Sequence, residues 1–359
     1  MKRTMALILS LAMMLVILTG CGGNSTSGNT GTGSGTQTTT GTQSGGTQTT
    51  STATTVLQLG HIDPSTETDA YQIFSLAFKK YVNELSNGTM DIDVKGDAQL
   101  GSETEMFEAL ALGDLDMGII TNNLYANFVK DFEIFDLPFL FKDYETSNSV
   151  VDDPEIFGFL QNELLQANGI RILTYGDTGY RYIVNNVRPI VNVEDLKGIK
   201  IRLPEAALFI DTFKALGANP TSMAFSEAYT AVQQGTVDGL EITASAIYSS
   251  GYYEICKYLS KTGHFESVIT LDMSEAVWSK LTEEQQNVLM EAANKASKEA
   301  RQQVYANENK FLDEMAAAGC QVNDISDPAE FRAAAQSVYD KAQTEVSPEL
   351  WNMVMSKIG

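Results

Sequence analysis

Residues 102–120, SETEMFEALALGDLDMGII, and their later echo at residues 226–242, SEAYTAVQQGTVDGLEI, decide the reading of this chain. In the first stretch Ser102 stands as a helix cap. Gly113 suits the left-handed position that ends a helix, and 116–120 is apolar enough for a buried strand. Ala109-Leu110-x-x-Gly113-x-x-Asp116 returns as Ala231-Val232-x-x-Gly235-x-x-Asp238. Each copy buries a small–large pair, stops at glycine and opens a strand with aspartate. Four matched positions can arise by chance, so the weight falls on the element order around them.

Outward from the first stretch, 56–61 reads as a strand and 68–86 as a helix, with Tyr71, Phe74, Phe78, Tyr81 and Leu85 at helical spacing. Asn87-Gly88 turns the chain into a strand over 90–94. The order β-α-β-α-β signals an open, mainly parallel sheet. The later half repeats it: strands at 181–185 and 199–203, a helix over 205–216 stopped at Gly217, an extended piece at 220–223, a helix capped by Ser226 and ending at Gly235, and a strand at 237–242. Two similar α/β lobes follow. Thr282 and Gln285 form a capping-box pattern, and no Pro or Gly interrupts the chain from there to Ala318. At about 1.5 Å per residue such a helix can brace both lobes. A coiled coil is the other reading, but Val288, Leu289, Ala292, Val304, Phe311, Leu312 and Met315 keep no strict heptad.

The first residues read as an address. Lys2 and Arg3 precede an apolar run, 6–18, too short for a comfortable membrane span, and Leu18-Thr19-Gly20-Cys21 resembles a bacterial lipobox. We expect a lipoprotein signal peptide over 1–20 and lipidation at Cys21; a plain signal peptide with an accidental cysteine is the alternative. Residues 22–55, almost only Gly, Ser, Thr, Gln and Asn, cannot bury apolar surface. With Cys21 they make a tether, 21–55. Roughly 300 residues follow, more than one core normally supports. The chain of 359 residues has a formal charge of −22, which argues against nucleic acid or anionic lipid as partner and requires any anion site to be a local cationic pocket. Cys256 and Cys320 read as buried apolar fillers, with a bridge as the alternative.

Three segments carry a family resemblance: Asp195 to Pro204 (DLKGIKIRLP), Gly217 to Glu241 (GANPTSMAFSEAYTAVQQGTVDGLE) and Tyr253 to His264 (YEICKYLSKTGH). They resemble the signature stretches of the DctP family, the solute-binding subunits of TRAP transporters. Gln99-Leu100-Gly101 and Gly179-Tyr180-Arg181 sit where that family places them. The resemblance implies a two-lobed, periplasmic-binding-protein-like (Venus flytrap) α/β fold with a long helix spanning both lobes. Lobe I maps to 56–178 with 267–306, and lobe II to 179–266 with 307–359.

It also implies that Arg202, in Arg-x-Pro, holds a ligand carboxylate, as a planar, permanently charged guanidinium can. Unaided, Arg202 would read as a surface arginine ending a strand. Arg181 matches a second position at the ligand carboxylate; an inter-strand salt bridge is its other reading. Phe225 matches a pocket wall, or is simple core. Glu241 matches a ligand-binding position, but many relatives have Glu-Asn-Pro where this chain has Glu241-Ile242-Thr243, so the asparagine contact is missing here or is supplied by Thr243 or Ser245. Thr121, Asn122 and Asn123 reach the cleft edge from a strand's carboxyl end. His61, Gln99, Tyr180 and Tyr125 fall in comparable places, though a lone His is usually structural.

The expectation is an extracytoplasmic, lipid-anchored monomer. It would close on a small organic-acid anion (a C4-dicarboxylate, uronate or related hydroxy acid) and deliver it to a TRAP membrane permease, with no cofactor and no metal. A sensor component presenting ligand to a signalling receptor would use the same lobes. A secreted hydrolase fits poorly, since the chain has two histidines and no Gly-x-Ser-x-Gly elbow. The long helix and the Arg-x-Pro motif weigh against an ABC-type binding protein.

Overall fold

A computed structural model describes residues 54–358. The signal peptide expected over 1–20, the lipidation site Cys21 and nearly all of the tether expected over 21–55 lie outside the described residues.

The described strands are β1 (Thr55–Gly60), β2 (Met90–Lys95), β3 (Met117–Thr121), β4 (Ile170–Asn185), β5 (Lys200–Leu203), β6 (Asn219–Ser222), β7 (Gly239–Thr243), β8 (Tyr258–Lys261), β9 (Glu266–Ser274) and β10 (Gln321–Asp324). Their main order is β2-β1-β3-β9-β4-β7-β5-β6. The trio β2, β1 and β3 is parallel, and so is the trio β7, β5 and β6. β3 (MGIIT) and β7 (GLEIT) are buried throughout, because helices cover both faces of a parallel sheet. The two parallel groups are joined by β9 and β4. From Ile170 to Tyr180, β4 runs antiparallel to β9; from Arg181 to Asn185 it runs antiparallel to β7. The register shifts between Asp177 and Tyr180, at Gly179 with φ +96°. One strand therefore passes from the first group to the second through a bulge.

Local chemistry explains most elements. Ser102 and Glu105 form a capping box on the helix Glu103–Leu112, which ends at Gly113 with φ +82°. Ser226 is not a cap: it lies inside the helix Phe225–Gln233, whose cap position is Ala224, with no side-chain capping bond. Two strands are longer than the sequence suggested. β4 begins at Ile170 rather than 181, and β9 fills a segment not read as a strand at all.

The helix Glu283–Ala317 has 35 residues and a Thr282–Gln285 capping box, so it is roughly 50 Å long. Leu289, Ala292, Ala293, Ala296 and Ala300 pack into the apolar cluster of β1–β3 and the helix Ala70–Leu85. Phe311, Leu312 and Met315 pack into the cluster around β7 and β8. The final helix, Pro348–Ile358, packs on Tyr144–Val151 and Pro154–Asn168, within the stretch expected to form lobe I. Cys256 and Cys320 are free and buried, and burial pushes the Cys256 thiol up to about 12.

Two carboxyls are sealed in the interior. Burial pushes Asp136 up to about 8, although Asn122 Nδ2 donates to it at 2.8 Å. Burial pushes Asp272 up to about 7, although the Thr270 and Tyr125 hydroxyls donate to it.

At β7, a Cβ on Gly239 would lie 2.0 Å from the Val184 carbonyl oxygen and 2.7 Å from Asn185 Cα. We expect Gly239→Ala to destabilise the protein by about 1–3 kcal/mol in urea titration. The sealed acids set a pH dependence. In the unfolded chain aspartates lose their protons near pH 4. From there to about pH 7–8 the folded protein holds protons that the unfolded chain has released, so stability falls as pH rises. The thermal midpoint is expected to drop between pH 5 and pH 8, and Asp136→Asn to recover part of that drop; a flat profile would contradict it.

Candidate functional site

The carboxyl ends of β3, β5 and β7 converge on a cavity of about 720 Å³ of empty space, open mouth included. Arg202 reaches it from β5. Its side chain is almost wholly buried, and Nε and Nη2 both donate to the Met223 carbonyl, at 3.1 and 2.7 Å. Among the described residues no carboxylate lies within salt-bridge distance of it. Burial lowers its affinity for a proton, but from so high a starting value that it stays a cation. Phe225 stands with its ring 5.7 Å from this guanidinium.

Arg181, just past the bulge within β4, also lines the cavity. It both faces the space and makes the inter-strand salt bridge that the sequence left open. Nε donates to Glu241 Oε2 at 2.6 Å and Nη2 to Oε1 at 2.8 Å, while Nη1 reaches Ser267 Oγ at 3.2 Å. Burial opposes ionisation of Glu241, but the Arg181 charge and hydrogen bonds outweigh it and hold the carboxyl below its ordinary range. His264 Nε2 lies 3.1 Å from the same carboxylate, and its Nδ1 lies 2.7 Å from Thr262 Oγ1. Burial lowers His264 and favours its neutral form.

The structure thus brings Arg181, Arg202, Phe225 and Thr121 to one cavity, with Asn123, Ile242 and Thr243 beside them. Ile242 presents an aliphatic surface to it. Other expected residues lie outside the lining. Glu241 is fully buried behind Arg181, as its counter-ion. Asn122 is buried, donating to Asp136 and to the Phe132 carbonyl. His61 is buried with Nε2 2.8 Å from Gln72 Oε1. Gln99 is exposed, because Asp97 and Ala98 turn left-handed (φ +57° and +53°) and present Ala98 to the cavity instead. Tyr180 is half-buried and donates to the Phe141 carbonyl at 3.3 Å. Tyr125 is spent on Thr270 and Asp272. Ser245 bonds Ala70 N and the Thr68 carbonyl across the cleft.

Sequence reasoning missed the acidic wall. Asp63, Glu103 and Tyr71 line the cavity. Glu103 Oε1 accepts from Thr121 N and Oε2 from Thr121 Oγ1, both at 2.8 Å, and Tyr71 OH lies 3.4 Å from Oε1. Burial raises Glu103 against those bonds. Asp63 meets Asp69; burial and the neighbouring carboxylate raise Asp63, and burial raises Asp69 to about 7. Glu103 directly follows the cap Ser102, where an acid is ordinary helix chemistry, so nothing in the sequence marked it out.

Residues 59–345 match DctP, described as bacterial extracellular solute-binding protein, family 7. A solute-binding protein of Verminephrobacter eiseniae is 34% identical over 281 residues, 77% of this chain and 82% of that protein. The 2,3-diketo-L-gulonate-binding periplasmic protein YiaO of Escherichia coli is 30% identical over 261 residues, 72% and 78% of the two chains. A TRAP periplasmic solute-binding protein of Polaromonas, solved with D-erythronate, matches with a TM-score of 0.80 at 33% identity, over 85% of this chain and 98% of that one. With the two parallel groups, the crossing strands and the spanning helix, these likenesses give a two-lobed α/β fold, and the chain belongs to the DctP family of TRAP solute-binding proteins.

Proposed function

We propose that this protein captures a small organic-acid anion by closing two lobes over it, with Arg202 holding a carboxylate. The observation that carries the reading is Arg202 itself. A buried cation with no carboxylate beside it is costly. An anion entering the cavity supplies the missing counter-charge, and a planar carboxylate suits a guanidinium. The guanidinium is fixed from behind by the Met223 carbonyl, so its Nη1 edge is free of protein hydrogen bonds among the described residues. Arg181, already neutralised by Glu241, supplies donors with little net charge. The relatives solved or named with D-erythronate and 2,3-diketo-L-gulonate support an acid as the ligand class.

We divide the lobes as 56–178 with 267–306 and 179–266 with 307–359, the helix Pro348–Ile358 excepted, since it packs back on the first. Closure is supported by hydrogen bonds that cross the cleft away from the cavity. Ser249 Oγ donates to Asp69 Oδ2 at 2.9 Å, Ala70 N to Ser245 Oγ at 3.0 Å, and Asn127 Nδ2 to the Glu205 carbonyl at 2.7 Å. Such bonds form only in the closed state, and a ligand touching both lobes favours it. Lipidation at Cys21 would hold the protein on the outer face of the membrane, and a TRAP permease would receive the load. Binding without turnover completes the reading.

Arg202→Gln is expected to weaken binding of D-erythronate or succinate, whichever binds, by tenfold or more in calorimetry, about 1.4 kcal/mol or above, with the thermal midpoint unchanged. Unchanged affinity would remove Arg202 from the site. Glu241→Gln leaves Arg181 uncompensated in the interior, so it is expected to cost about 3–5 kcal/mol of stability in urea titration.

A further inference from the structure

The cavity is not uniformly cationic. Arg202 and Arg181 face it from β5 and β4, and Glu241 already balances Arg181. The other carboxyls of the lining are Glu103 and Asp63 inside, where burial and Asp69 favour the protonated form of Asp63, and Glu205 at the exposed rim. Among the described residues no lysine and no histidine lines it. Glu103 is held by donors from Thr121, which orient the carboxylate without cancelling its charge. The neutral lining is rich in groups that both donate and accept, including Tyr71, Ser102, Asn123, Thr178 and Thr243.

One end of the space therefore favours a single negative charge, and the remaining wall favours hydrogen-bond donors. We propose that Glu103 makes the site prefer a monocarboxylate carrying several hydroxyl groups, an aldonate- or uronate-like acid, and reject dicarboxylates. This rests on Arg202 as the carboxylate anchor. Both Glu103 oxygens accept from Thr121, so the carboxylate is set as an acceptor and the hydroxyls of such a ligand donate to it. A second carboxylate in their place has no proton to donate and meets like charge in a space of low dielectric. Specificity would come from repulsion at one wall as much as from attraction at the other.

Two pairs of acids, each differing chiefly in whether one terminal carbon is an alcohol or a carboxylate, test this by calorimetry at pH 7.5: D-erythronate against meso-tartrate, and D-galactonate against galactarate. In whichever pair binds, the monocarboxylate is expected to bind about tenfold or more tightly. Glu103→Gln is expected to narrow that gap by improving the dicarboxylate, with a thermal scan confirming that the variant is folded. If the dicarboxylate binds as tightly in the unaltered protein, or if 4-aminobutanoate binds more tightly than every hydroxy acid, the proposal fails while Arg202 keeps its role. No binding of any acid, succinate included, overturns the anchor and the proposal together.

Discussion

A guanidinium shut inside the protein without a carboxylate to meet it is the constraint around which the rest of the site is arranged. Arg202 is fixed by a carbonyl, not by a charge, so its cation is held in place and left unbalanced. Glu241 forms a salt bridge with Arg181, whereas among the described residues no carboxylate forms one with Arg202. The contrast between the two arginines, one neutralised and one open, separates a structural cation from one available for binding. The formal charge of −22 repels anions in general, and Arg202 is a local exception to it.

Burial of ionisable groups runs through the whole interior. Asp136, Asp272, Asp63 and Asp69 are all raised by desolvation, and each has a polar neighbour that limits the penalty without removing it. Asp69 shows how closely capping and closure are tied. One oxygen accepts from Tyr71 N at 2.9 Å at the start of the helix Ala70–Leu85, and the other accepts from Ser249 across the cleft. The same carboxyl that starts a helix also ties it to a residue 180 positions away in the chain.

Much of the fold was legible in the sequence wherever local chemistry decides conformation. The Ser102 cap, the Gly113 stop and the Thr282–Gln285 box act within a single turn, and their helices lie where the residues placed them. β9 was not legible. Its nine buried residues include Glu266, Ser267, Asp272 and Ser274, and a strand so polar earns its burial only through partners far away in the chain. The first part of β4 was hidden in the same way by Arg171, Asp177 and two glycines. In the site, Arg202, Arg181 and Phe225 were found through a motif. Asp63 and Glu103 were not, because a turn aspartate and a helix-start glutamate look alike whether they face solvent or a cavity. The bond from Arg181 to Glu241 was not legible, since only the pairing of β4 with β7 brings the two together.

The passage of β4 through both halves bears on how such a protein can change over generations. Each half is assembled from pieces of chain on either side of the bulge at Asp177–Tyr180, and the spanning helix contributes apolar side chains to both cores. No single cut yields one half intact, so recombination between relatives cannot swap a whole half for another. Changes of preference therefore come by substitution on the lining, while the frame that carries it is inherited as a block.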